Sequence, residues 1–159
     1  MYGNKVIPGI KSGQQYRTLS SLWVGYTEST WFDYVDVTGT EEKALPLGTI
    51  LKENAADGTY SPFEASDIIS APANLPGVRI VIVADETAVT GSSETTGEGA
   101  SAVTTSLPSS VLVGKQGQVD KARILVGETP FTDLEEAQQI KLNTQLEAWN
   151  FQLVSVLEG

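Results

Sequence analysis

The sequence predicts a mainly β fold with one C-terminal α-helix, a small β-sandwich or barrel-like core, and an extended N-terminal arm. Three observations carry this. Gly77 to Ala84 reads Gly-Val-Arg-Ile-Val-Ile-Val-Ala, with five Val or Ile among eight residues, as expected of a strand covered on both faces. Turn dipeptides recur on either side of it, at Asp57-Gly58 and between Gly114 and Gly117. A capping box appears once, near the C-terminus, at Thr132 and Glu135.

Residues 1–20 are polar, with Pro8-Gly9 and Ser12-Gly13 as turn signals and no helical period. They read as an arm, and residues 21–159 as a single β-rich domain. Within that domain Trp23, Tyr26, Trp31, Phe32 and Tyr34 place five of the twelve aromatics inside twelve residues. Such a cluster either packs on the β core or anchors an interface, since Trp and Tyr dominate both burial and binding hot spots.

Leu45 to Leu51 reads as a strand beginning at or after Pro46, which has no backbone donor for a ladder. Asp57-Gly58 turns the chain into Thr59 to Phe63, and Ile68-Ile69 within Ser66 to Ala73 leads on toward the central strand as a strand or a helical turn. Thr87 to Ser106 carries only Val89 and Val103 as large apolar residues. Its composition predicts a long surface loop over 87–106, too polar to offset the entropy of ordering it. Gly97 to Ala102 matches a G-x-G-x-x-A spacing formally, but it lies thirteen residues past the strand and leads into Val103-Thr104-Thr105. A dinucleotide fingerprint opens a helix directly after a strand, so the match is rejected.

Val111 to Val113 and Val119 to Val126 flank Gly114-Lys115-Gln116-Gly117, which reads as a hairpin. The helix is expected over 133–149, with Leu142, Leu146 and Trp149 as one stripe and Leu134, Ala137 and Ile140 broadening the buried face. Phe151 to Leu157 reads as a closing strand. Arg79, the lone charge in the central stretch, is expected near an edge or reaching to solvent.

The chain has no His and no Cys, and no Lys has a Ser three positions before it. Thiol chemistry, His-based triads, the usual zinc ligand sets and the S-x-x-K arrangement are thereby excluded. Twenty acids in 159 residues guarantee some close carboxylate pair, so such a pair carries no diagnosis. The expectation is a protein that is not an enzyme and needs no cofactor or metal. Ten bases against twenty acids give a net charge of -10, which argues against nucleic-acid binding. No apolar run approaches a membrane span and no secretory signal opens the chain, so cytoplasmic synthesis is expected. The charge is unevenly spread. Residues 1–27 hold Lys5, Lys11 and Arg17 and no acid, giving +3, while the remaining seven bases and twenty acids give -13.

Taken in order, Leu45 to Leu51, Asp57 to Tyr60, Gly77 to Ala84, Val111 to Val119 and the terminal helix and strand resemble the head decoration proteins of tailed double-stranded DNA phages, the lambda-type capsid-stabilising family. The resemblance covers about residues 45–157 and lies in the order of elements. It implies a β-tulip-like core and a cement protein on the outer surface of the expanded virion head. That protein would be synthesised in the host cytoplasm, would stabilise the capsid by bridging neighbouring major capsid protein subunits, and would self-associate as a trimer, with dimer or monomer as alternatives. The 23–34 segment and the 87–106 loop are longer than compact members need. In this reading Lys5, Val6, Ile7, Lys11 and Arg17 belong to the capsid-binding arm, and Trp23, Tyr26, Trp31, Phe32 and Tyr34 are interface anchors. The alternative is a virion fibre or adhesin module whose aromatics stack on host glycans.

Overall fold

The computed structural model describes residues 22–24, 31–69 and 77–156. The arm over 1–20, and with it Lys5, Val6, Ile7, Lys11 and Arg17, lies outside the described residues, as does Tyr26. The body is mainly β, with a helix near its C-terminus. Strands β1 (Phe32–Val37), β2 (Ile50–Glu53), β3 (Tyr60–Pro62), β4 (Ile80–Val83) and, later in the chain, β7 (Ser109–Gly114) close a barrel in the order β1-β3-β2-β4-β7. Between β4 and β7 the chain builds β5 (Ser92–Thr96) and β6 (Val103–Leu107). It then continues through β8 (Gly117–Asp120), β9 (Leu125–Val126), β10 (Thr129–Pro130), helix α1 (Glu136–Ala148) and β11 (Phe151–Val154).

β4 is the wall between two cores. Its Ile80 and Ile82 join Ile50, Leu112, Phe63 and Trp23 in a large cluster that Val119, Leu142, Leu146 and Phe151 complete. Its Val81 and Val83 join Val37, Leu51, Tyr60, Val111 and Val113 in a second, Val-rich cluster. Because neighbouring strand residues point to opposite faces, the Val-rich cluster is the barrel interior, and the larger cluster lies between the barrel wall and the layer of β8, α1 and β11. Burying each such aliphatic side chain contributes about 1.5–3 kcal/mol, so the four residues of β4 hold both layers together.

The turn at Asp57-Gly58 forms as expected between the antiparallel pair β2 and β3. Gly58 takes φ 74°, and the Asp57 carboxylate accepts from Thr59 N–H at 3.0 Å and from its hydroxyl at 2.7 Å. Those donors hold the Asp57 pKa below the usual carboxylate value. The preceding strand starts at Ile50, after Pro46 as expected, since Pro46 to Thr49 is spent on a turn in which Thr49 Oγ1 donates to Pro46 O at 2.6 Å. Ala65–Asp67 forms a 3-10 turn, and Lys52 Nζ reaches Asp67 Oδ1 at 2.7 Å. Arg79 is half-buried rather than free in solvent, with its guanidinium 5.3 Å from the ring centre of the half-buried Trp149.

Four expectations are corrected. Residues 87–106 are not a loop: β5 and β6 form an antiparallel hairpin from Ser92↔Leu107 to Thr96↔Val103, with Gly97 at φ 90° and a 3-10 turn at Gly99–Ser101 closing its tip. Backbone pairing, which needs no apolar burial, orders the segment. Second, β7 and β8 do not pair. β7 lies between β1 and β4, whereas β8 runs parallel to β11. The Asp120 carboxylate accepts from Ala122 N–H at 3.0 Å and turns the chain at Lys121–Arg123 before β9. Third, α1 begins at Glu136, capped by Glu135, whose N–H donates to Gln138 Oε1 at 3.3 Å. Thr132 instead sits in a 3-10 turn at Phe131–Asp133. Fourth, the buried face of α1 is narrow. Leu142, Gln145 and Leu146 are buried, while Ala137 is exposed and Ile140 is 61 % exposed. Gln145 Oε1 accepts from Ile69 N–H at 3.2 Å, and among the described residues its Nε2 has no hydrogen-bond partner. The closing strand ends at Val154.

Candidate interaction surfaces

Trp23 fixes where the N-terminal segment meets the body. Its ring is 1 % exposed, packs edge-on against Phe32 with centroids 5.1 Å apart, and donates Nε1–H to Gln116 O at 3.0 Å. Val24 N–H donates to Gln118 O at 2.9 Å, and Trp23 bridges antiparallel to Val119. The indole occupies the space where a Cβ at Gly114 would stand, and it lies against Gly117 with Trp31 on the other side. Two glycines are therefore needed at this corner because an aromatic from the chain's beginning fills it. The indole fills the corner between the end of β7 and the start of β8, where the two strands part.

The predicted anchors separate into core and surface. Trp23 is core, Phe32 and Trp31 are half-buried and packed on the same cluster, and Tyr34 is 54 % exposed. A stacking platform of several exposed aromatics is therefore not what residues 31–34 present. On β1 beside Tyr34, Asp33 and Asp36 are both exposed, an acidic rim of the barrel. Lys115 Nζ donates to Asp33 Oδ2 at 2.9 Å, and Tyr34 N–H donates to Asp33 Oδ1 at 2.8 Å. The Lys115 hydrogen bond, then that of Tyr34, holds the Asp33 pKa below the usual carboxylate value. On the inner side, burial and the nearby Glu53 charge raise the Tyr60 pKa.

The surface that sequence reasoning missed is the β5–β6 hairpin. Glu94 to Pro108 is exposed throughout, with Val103 at 60 % and Leu107 at 50 %. Its base is pinned to the barrel: Gly91 N–H donates to Val37 O at 2.9 Å and Ser93 N–H to Thr40 O at 3.3 Å. A signal for it existed in the β-branched pairs Thr95-Thr96 and Val103-Thr104-Thr105 on either side of a turn with two glycines.

Among the described residues no three His, Cys, Asp or Glu side chains converge as a metal site, and no helix is long and apolar enough to cross a membrane. Three surfaces stand out: the acidic rim at Tyr34, the junction at Trp23 and the hairpin. Compared with known protein families, with curated proteins and with solved structures, the chain finds no match in any of the three.

Proposed function

We propose that the protein is a capsid decoration protein, a non-enzymatic cement that binds the outer surface of an expanded phage head through its N-terminal arm and bridges neighbouring major capsid protein subunits. The observation that carries this reading is the division of charge. The first 27 residues hold +3 and no acid, on a chain whose remainder holds -13. An acidic body keeps copies soluble and apart, while a basic, polar arm suits an acidic shell and can add a strand to an exposed sheet edge. The buried Trp23 supports the same reading, because it ties the residues just after the arm to the barrel wall. Force on the arm is then transmitted to both cores. Many modest contacts on one particle strengthen a shell through avidity.

Deleting residues 2–15 and measuring occupancy on undecorated capsids tests the reading. Binding is expected to fall by at least about tenfold if the arm supplies even one or two charge-assisted contacts. Unchanged occupancy would sink it. Raising the salt concentration separates the two sources of affinity: a modest loss points to main-chain hydrogen bonds, a steep one to Lys5, Lys11 and Arg17.

A further inference from the structure

We propose that the outer edge of β6 is a self-association site, at which two copies pair antiparallel about a two-fold axis through Thr105. The proposal starts from which backbone groups are free. Ser93 N–H donates outward to Thr40 O, so the Ser93↔Ser106 pair is one of the ladder's non-hydrogen-bonded pairs. Alternation places Thr95↔Thr104 in the same class, and the two Thr hydroxyls lie 2.9 Å apart, as the closer side-chain approach in such pairs allows. The N–H and C=O groups of Thr104 and Ser106 therefore point away from β5, and among the described residues they have no partner.

A second β6 running antiparallel satisfies all of them. With Thr105 opposite Thr105 of the other copy, Thr104 meets Ser106 and Ser106 meets Thr104, so four backbone hydrogen bonds form. On the face that Thr105 shares, Val103 comes opposite Leu107 and Leu107 opposite Val103. The two exposed apolar residues of the strand thus cover each other across the seam. The strand is self-complementary in register, side-chain type and charge, which a closed two-fold interface demands.

The other edge of the hairpin does not offer this. On β5, a two-fold pairing centred on the strand would set Glu94 opposite its own copy, and like charges directly opposite destabilise a pair. Its Ser93 N–H is also already taken by Thr40. Charge favours the hairpin over the rest of the surface as well. Residues 92–108 carry Glu94 and Glu98 and no base, and β6 itself carries no charge, on a chain of net -10. An uncharged strand adds no repulsion of its own to the approach of two acidic bodies. Natural edge strands are usually protected by Lys, by Pro within the strand or by a bulge. β6 has none of these between Val103 and Leu107.

A five-residue seam falls in the small, weak class of interfaces, below about 1,200 Å², so the dimer is expected to be concentration-dependent. It does not depend on whether the protein coats a capsid. Sedimentation velocity of the full chain over a concentration series tests it. The wild type should shift toward a dimer, and added salt should strengthen the shift by screening the acidic bodies, opposite to its effect on a basic arm meeting an acidic shell. Thr105 is exposed but stands opposite Glu94 in the hairpin, where a like charge would be destabilising, so Glu94→Gln is introduced first. On that background Thr105→Glu and Thr105→Lys should fold as the parent does, which thermal melting checks. Each should associate about tenfold or more weakly, because it sets like charges at the axis. Mixing the two variants in equal amounts should restore dimers. The proposal is overturned by a wild type that stays monomeric up to about 1 mM, by variants that associate as well as the wild type, by a mixture that fails to pair, or by a trimer indifferent to both changes. A monomeric wild type whose Thr105→Glu form loses capsid occupancy would assign the edge to a foreign strand, and overturns the second-copy assignment too.

Discussion

β4 and β6 are strands of four and five residues, both begun by a β-branched residue, yet all four residues of the first are buried and all five of the second are exposed. β4 is flanked by β2 and β7 and has a core on each face. Among the described residues β6 has one neighbour, and its faces and outer edge are open. What differs is the source of order. β4 is held by apolar burial, which ties it to distant parts of the chain, whereas β6 is held by the ladder to β5 and by the clamp at its base. A two-stranded ribbon is marginal in isolation, so the barrel supplies the hairpin's order and gains little from it. That asymmetry frees the hairpin to be used at another surface.

The sharpest way to break the comparison is to shorten one aliphatic side chain in each strand. Ile82→Ala empties space in the larger core and should cost about 2–5 kcal/mol in urea unfolding. Val103→Ala removes an exposed side chain and should change stability by less than about 0.5 kcal/mol in the monomer. Comparable losses at the two positions would show that the hairpin is packed against something, and the contrast between the strands would fall.

The corner at Trp23 comes next. Gly114→Ala places a methyl group where the indole sits, with the neighbours on β7 and β1 unable to move far. The expected loss is about 1–3 kcal/mol, accompanied by a red-shifted, more quenchable Trp emission as the ring is pushed out. A stable variant with unchanged emission would mean that Trp23 does not hold the N-terminal segment to the wall, and the route proposed from arm to core would be lost.

This contrast also explains what the sequence could and could not tell. β4 was readable because four consecutive aliphatics flanked by turn residues have few other uses, and the β2–β3 hairpin because Asp57-Gly58 has the chemistry of its turn. The β5–β6 hairpin was not readable by the same reasoning, since that reasoning asked whether Thr87 to Ser106 could bury apolar surface, and the hairpin does not need to. The parting of β7 and β8 was hidden for another reason. The corner where they part is filled by Trp23, whose indole bonds to a carbonyl 93 residues away, and no local signal around Gly114 and Gly117 reveals which ring will fill it. The start of α1 lies about one turn later than expected because Phe131–Asp133 takes a 3-10 turn and Glu135 with Gln138 forms the capping box instead. Of the candidate anchors, Trp23 answered to its size and went to the core. Tyr34 lies on β1 with its side chain exposed, which the cluster of aromatics around it concealed.

The acidic rim between these two regions gives the smallest expected effect and sharpens the comparison most finely. Asp33 stands on β1, directly opposite Val113 of the barrel interior, but its own side chain is 59 % exposed and its partner Lys115 is 31 % exposed. If position in the barrel decided energetics, removing this carboxylate would be costly; if solvent decides, it should be nearly neutral. Solvent screening argues for the second, and Asp33→Asn is expected to cost no more than about 0.5 kcal/mol near neutral pH and low salt. The sign of its pH dependence follows from the Lys115 and Tyr34 hydrogen bonds, which favour the charged carboxylate and so depress its folded pKa below the ordinary 3.8. A depressed pKa contributes stability that is present above the unfolded value and lost as pH falls through the folded one. The urea midpoints of wild type and Asp33→Asn should therefore differ slightly near neutrality and converge below the ordinary Asp range, with high salt producing the same convergence at neutral pH. A loss of several kcal/mol, or a difference that persists in acid, would place Asp33 with β4 rather than with β6, and the rim would have to be counted as part of the core.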